Sequence, residues 1–85
     1  MRFAARVEVR LRPGIADPEG ATIERALPAL GFDDVRDVRA GRCFRFELEA
    51  GDQSEARRRA EDLAHRLLSN PVIEDSLVEL VAADT

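Results

Sequence analysis

Between Phe3 and Arg12 the chain alternates without a break. Phe3, Ala5, Val7, Val9 and Leu11 fall on one parity, and Ala4, Arg6, Glu8, Arg10 and Arg12 on the other. A period of two sustained over ten residues predicts a β-strand with one buried face. Pro13-Gly14 stops this strand. Few folds are open to a chain of 85 residues that begins with so strongly one-sided a strand. The length suits one domain, residues 1–85, and a domain of this size buries only about 60–65% of its unfolded surface. Its own core is thin, and association with other chains would help it.

The remaining elements follow from spacing and punctuation. Asp17-Pro18 reads as an N-cap followed by proline at the first helical position. Ile23, Ala26, Leu27 and Leu30 recur at helical spacing, Pro28 should bend or break that helix, and Gly31 ends it. Val35 to Arg39 reads as a short strand, Ala40-Gly41-Arg42 as a turn, and Cys43 to Glu49 as the returning strand with Phe44, Phe46 and Leu48 inward. After Gly51-Asp52 comes an amphipathic helix with Ala56, Ala60, Leu63, Ala64, Leu67 and Leu68 on one stripe. Asn70-Pro71 ends it, and Val72 to Val81 holds the last strand. The order β-α-β-β-α-β, with right-handed crossovers, predicts an α+β ferredoxin-like sandwich: a four-stranded antiparallel sheet with two helices on one face.

The other face of that sheet has no cover within one chain. It carries Arg6, Glu8, Arg10, Cys43, Arg45, Glu47, Leu77 and Val81. Such a mixture suits a pairing surface, and it also suits an ordinary solvated sheet face.

Catalytic chemistry finds little to build on. His65 is the only histidine and lies about 200° around its helix from Leu63, toward solvent. Cys43 is the only cysteine, faces away from the core and has no histidine on its side of the sheet. All thirteen basic residues are arginine, which excludes a Schiff-base lysine and a phosphate-loop lysine. The acidic residues are scattered in adjacent pairs, so no metal cage is expected. Arg57-Arg58-Arg59 reads as a solvated helix face or as a secondary patch for an acidic partner. The run Arg42-Cys43-Phe44-Arg45-Phe46 is spaced like an RNA-stacking strand, but turning its aromatics outward would bury Arg45 and Glu47. With a net charge of −4, nucleic acid is not an expected partner. No long apolar run follows Met1-Arg2-Phe3, so neither a membrane nor a secretion signal is expected, and the cytoplasm is the expected location.

The run Val9-Arg10-Leu11-Arg12-Pro13-Gly14-Ile15, with Asp17-Pro18 and Gly20, resembles the opening signature of the PurS family, the small subunit of phosphoribosylformylglycinamidine (FGAM) synthase. Leu30-Gly31-Phe32, with Val35, Asp37-Val38-Arg39 and Gly41-Arg42, resembles its next block. Leu67-Leu68, with Asn70-Pro71-Val72-Ile73-Glu74-Asp75, resembles its closing block. Two departures stand out: Ser76 takes a place that is often aromatic, and arginines replace common lysines.

The resemblance implies a non-catalytic subunit in purine biosynthesis that bridges PurQ, a glutaminase, and PurL, an amidoligase that uses ATP and Mg²⁺. It implies support for ammonia transfer between them and a homodimer or a dimer of dimers. No cofactor or metal is expected on this chain itself. The expected contact residues are Arg12 and Ile15 on the Pro13–Gly20 loop, and Arg6, Glu8, Arg45 and Leu77 on the open face. The other class of function consistent with the residues is a stand-alone ferredoxin-like regulatory module that binds a small metabolite, for which the Gly14–Gly20 loop would supply part of a site.

Overall fold

The computed structural model describes residues 1–83. It has three strands and two helices: β1 (Arg2–Leu11), α1 (Pro18–Ala26), β2 (Gly41–Glu49), α2 (Gln53–Leu63) and β3 (Glu74–Ala82). A 3₁₀ turn, Pro28–Leu30, follows α1, and a π-helical turn, Ala64–Leu68, prolongs α2. The strands form one antiparallel sheet in the order β2-β1-β3. The alternating first segment is thus the central strand, paired from Arg2↔Glu49 to Arg10↔Gly41 on one side and from Phe3↔Ala82 to Leu11↔Glu74 on the other.

The predicted face is the buried one. Phe3, Ala5, Val7 and Val9 are at most 4% exposed, and Leu48, Phe44, Phe46, Val78 and Leu80 pack beside them. Helix α2 lies over this face through Ala56, Ala60 and Ala64, all fully buried. Three alanines at i, i+4 and i+8 present a flat stripe, so the helix seats close to the sheet. Asp52 caps the helix by accepting from the Glu55 amide at 2.8 Å, and the Glu55 carboxylate accepts from the Gly51 amide in return. Arg57 donates to the Val78 carbonyl at 3.1 Å and Arg59 to that of Glu49, tying α2 to strands on both sides of β1.

The sheet has three strands and not the expected four. Residues 35–40 run without a ladder partner, and Gly41 is a strand residue paired with Arg10 and not part of a turn. Two causes are visible. Asp37 takes a left-handed conformation (φ 60°), which interrupts a strand. The amides that a ladder would use are taken by side chains of the preceding segment: Val38 donates to Glu24 at 2.9 Å and Ala40 to Asp17 at 2.7 Å. Residues 35–40 are therefore docked on α1, not on β2.

The second correction concerns the helices. Among the described residues only α2 covers the sheet. No side chain of α1 enters either core cluster, and its one buried residue is Gly20. Pro28 ends α1 as expected, and Gly31 closes the 3₁₀ turn in the left-handed region (φ 88°). Residues 12–40 thus form an arm that leaves and rejoins the sheet at one end. The radius of gyration is 16.4 Å, against about 12 Å for a compact chain of this length.

The π-helical turn changes one further expectation. The Ser69 amide reaches back to the Ala64 carbonyl at 2.9 Å, and the Ser69 hydroxyl donates to the same oxygen. The widened turn keeps Leu68 against the core but swings Leu67 into solvent, 74% exposed.

Candidate interaction surface

The uncovered sheet face is ordered by the pairing register into rows across the three strands. Glu47, Ala4 and Val81 make one row, then Arg45, Arg6 and Glu79, then Cys43, Glu8 and Leu77, then Gly41, Arg10 and Asp75. Four expected contact residues, Arg6, Glu8, Arg45 and Leu77, therefore sit together at its centre. Arg6 donates to the Glu79 carboxylate at 2.6 Å, and this hydrogen bond raises the pKa of its guanidinium above the ordinary value. Arg10 pairs with Glu8.

Arg45 stands directly opposite Arg6 and has no ion partner among the described residues. Like charges facing across a ladder are unfavourable within one chain. One anion, Glu79, is shared against two cations in that row. Beside it Leu77 is 47% exposed, and Val81 extends the apolar strip along β3. A row short of an anion beside exposed leucine and valine has the composition of a docking surface.

Arg12 and Ile15 lie apart from that centre, at the end of the sheet. The Arg12 guanidinium donates to the Pro71 carbonyl and lies 3.3 Å from Asp75, so it braces the approach to β3. Ile15 is half-buried, its amide bonded to the Arg12 carbonyl and its own carbonyl accepting from Arg39 at 3.1 Å. A cleft of about 430 Å³, lined by Arg10, Leu11, Pro13, Arg39, Asp75 and Leu77, joins the loop to the open face. The cleft meets the loop at Pro13 and the open face at Arg10 and Leu77, and Arg12 and Ile15 lie outside its lining.

Asp17 fixes the loop. One carboxylate oxygen accepts from the Gly20 amide at 2.9 Å and the other from Ala40 at 2.7 Å. These bonds, the Gly20 one foremost, hold its pKa below the ordinary carboxylate value, and Arg39 adds to the effect. The sequence revealed the cap but not its second role as the tie between both ends of the arm.

The other expected features resolve simply. His65 and Cys43 are exposed, Cys43 beside Glu8 on the open face. Among the described residues no group of three His, Cys, Asp or Glu side chains is placed to hold a metal, and no helix is long and apolar enough to cross a membrane. Arg57 and Arg59 hold α2 to the sheet, which leaves Arg58 as the solvated member of the run. The open face carries a concavity of about 510 Å³ bordered by Ala4, Arg6, Arg45, Glu79 and Val81, and the cleft of about 430 Å³ lies at its end.

Comparison with known proteins gives one consistent answer. Residues 4–82 match the family model described as PurS, phosphoribosylformylglycinamidine (FGAM) synthase. The phosphoribosylformylglycinamidine synthase subunit PurS of Synechocystis is 35% identical over 82 residues, covering 96% of this chain and 82% of that protein. The crystal structure of PurS from Methanocaldococcus jannaschii, described as one of the subunits of formylglycinamide ribonucleotide amidotransferase in the purine biosynthetic pathway, superposes with a TM-score of 0.84 at 30% identity, covering 96% of this chain and 99% of that one. A chain in the structure of PurLQS from Thermotoga maritima superposes with a TM-score of 0.86 at 31% identity, covering 95% and 99%. The blocks that carry the resemblance lie on the arm, at the start of β2 and at the approach to β3, around one end of the sheet, and with the match over residues 4–82 they lead to one conclusion: the chain belongs to the PurS family.

Proposed function

We propose that this chain is a non-catalytic subunit of FGAM synthase that joins PurQ to PurL and supports ammonia transfer between them. The observation that carries the reading is the likeness, over 95% of this chain, to a chain in the structure of PurLQS from Thermotoga maritima, at a TM-score of 0.86. The surface is compatible with it: a cleft runs from Pro13 on the loop to Leu77 on the sheet face. Under this reading ATP and Mg²⁺ belong to PurL, the chain holds no cofactor of its own, and it works in the cytoplasm. The open face, with Arg6, Glu8, Arg45 and Leu77, serves self-association.

The test is reconstitution. PurL and PurQ are purified with and without this chain, and glutamine-dependent formation of FGAM is followed alongside ammonia-dependent formation. The reading expects co-elution of three proteins and glutamine-dependent turnover only when the chain is present, with ammonia-dependent turnover by PurL retained without it. Equal glutamine-dependent rates with and without the chain would refute it. The alternative, a metabolite-binding regulatory module, would instead show a ligand-induced change in the isolated chain.

A further inference from the structure

With β1 in the middle, β2 and β3 each leave one edge of the sheet free. Hydrogen bonds fix which backbone groups point outward. The Arg12 amide donates to the Ile73 carbonyl and the Ala83 amide to the Arg2 carbonyl, both at 2.8 Å, at the two ends of the β1–β3 ladder. Residues of an antiparallel strand alternate between its two sides, and this register runs without a bulge. Odd-numbered residues of β3 thus face β1, whereas Ser76, Val78 and Leu80 turn amide and carbonyl outward. On β2 the two bonds between Met1 and Ala50 set the alternation, so Cys43, Arg45, Glu47 and Glu49 face outward.

The two edges differ in protection. Arg45, Glu47 and Glu49 put charge along the β2 edge, which discourages another strand from pairing there. The outward residues Ser76, Val78 and Leu80 put none along the β3 edge. The run Leu77-Val78-Glu79-Leu80-Val81 has no proline, and its one charge, Glu79, is spent on Arg6. Aliphatic segments of this kind pair readily with other chains when their edge is open.

One contact stands in the way. Val78 is the middle residue of β3, and its outward carbonyl accepts from the Arg57 guanidinium at 3.1 Å. An added strand would bring its own N–H to about 2.9 Å from that oxygen. Arg57 already holds that place with a full charge, and Glu61, one turn further along α2, lies 3.9 Å from it. Among the described residues the outward amides of Ser76, Val78 and Leu80 have no partner, so the edge is otherwise ready to pair.

We propose that Arg57 guards the free edge of β3 and keeps strands of other chains from adding to the sheet there. The first arginine of the Arg57-Arg58-Arg59 run thereby has a task besides fastening α2. Arg59 reaches the carbonyl of Glu49, at the last residue of an edge that is charged already, and acts as a tether alone.

The test compares full-length variants in sedimentation velocity and thioflavin T fluorescence. Arg57→Met keeps an unbranched side chain at a position 44% exposed and removes the donor. It should form species larger than any in the wild type and raise the fluorescence about tenfold, while Arg58→Met behaves as the wild type. Adding Ser76→Pro to Arg57→Met removes an outward amide without touching the β1 ladder, and should restore the wild-type distribution. Amide exchange locates the contact: Ser76, Val78 and Leu80 should exchange fast in the wild type and become protected in the assembled variant. A lower melting temperature in Arg57→Met without new association would make Arg57 a tether only and overturn the proposal. Protected outward amides in the wild type, or unprotected ones in the assembled variant, would overturn it too. Arg57→Gln, two bonds too short to reach the carbonyl, takes the place of Arg57→Met if that variant fails to fold, and exchange decides if Ser76→Pro does.

Discussion

Gly20 lies so close to Val38 that a methyl group on its Cα would stand 2.5 Å from the Val38 carbonyl oxygen. The obstacle is backbone and cannot swing aside. Alanine is the better helix former by up to about 1 kcal/mol, yet here the steric cost of overfilling, about 1–3 kcal/mol, wins. Gly20→Ala should therefore detach residues 35–40 from α1. Faster amide exchange at Val38 and Ala40, with β1 amides unchanged, is the expected result.

Asp17 gives the arm a pH dependence with a definite sign. Its carboxylate is held below the ordinary value by the Gly20 and Ala40 amides, so the folded state binds the proton less readily than the unfolded one. The stabilisation is complete above the unfolded pKa of about 3.9 and is lost as pH falls through the lowered folded value. An NMR titration should show the Gly20 and Ala40 amide shifts constant above that range and moving together below it. Asp17→Asn, which keeps one acceptor and turns the other into a donor aimed at an amide, should weaken the Ala40 tie at every pH.

The core prediction falls on Phe3, buried at the end of the central strand against Ala50 and Ala56. Truncating a buried phenylalanine costs about 3–5 kcal/mol. A small domain holds only about 5–15 kcal/mol in all. Phe3→Ala should lower the melting temperature sharply in thermal circular dichroism, whereas the partly exposed Leu77→Ala should leave it nearly unchanged.

On the open face, Leu77→Arg adds a third cation beside Arg6 and Arg45. Self-association through this face should weaken at least tenfold, from lost apolar burial and added like-charge repulsion. Light scattering across a concentration series measures it. An unchanged mass distribution would assign that face to solvent.

Ile15→Asp probes the loop in assembly with PurL. The backbone contacts of Ile15 run through its amide and carbonyl, so the substitution leaves the Arg12 and Arg39 bonds in place. Affinity for the amidoligase should fall roughly tenfold or more, because an apolar contact is replaced by a buried charge. Wild-type affinity would make the loop only a way into α1.

What could be read ahead of the structure was the part fixed by short-range pattern. The strand from Phe3 onward, the Asp17-Pro18 start of α1, its break at Pro28 and the alanine stripe of α2 are local statements, and each holds. The fourth strand failed because Val35–Arg39 has strand-like composition while its amides are claimed by Glu24 and Asp17, partners that periodicity does not reveal. Leu67 was placed in the core because a 3.6-residue repeat was carried through Ala64–Leu68, where the helix widens. That Arg6, Glu8, Arg45 and Leu77 share one face was legible because strand parity dictates it. That Arg12 is spent on Pro71 and Asp75 depends on tertiary geometry and left no trace in the pattern.

The central place of β1 has a consequence for how the protein is made. Its partners are β2 and, at Phe3↔Ala82, residues from the far end of the chain. During synthesis β1 therefore emerges before both of its partners, and β3 is the last of the three strands to arrive. At roughly 5–20 residues per second, β1 waits several seconds with one edge open. Until β3 arrives, a β1–β2 hairpin with an exposed apolar face is the most structured species available, and other nascent chains can pair with its free edge. The arginines and glutamates that alternate along β1 keep that edge charged during the wait.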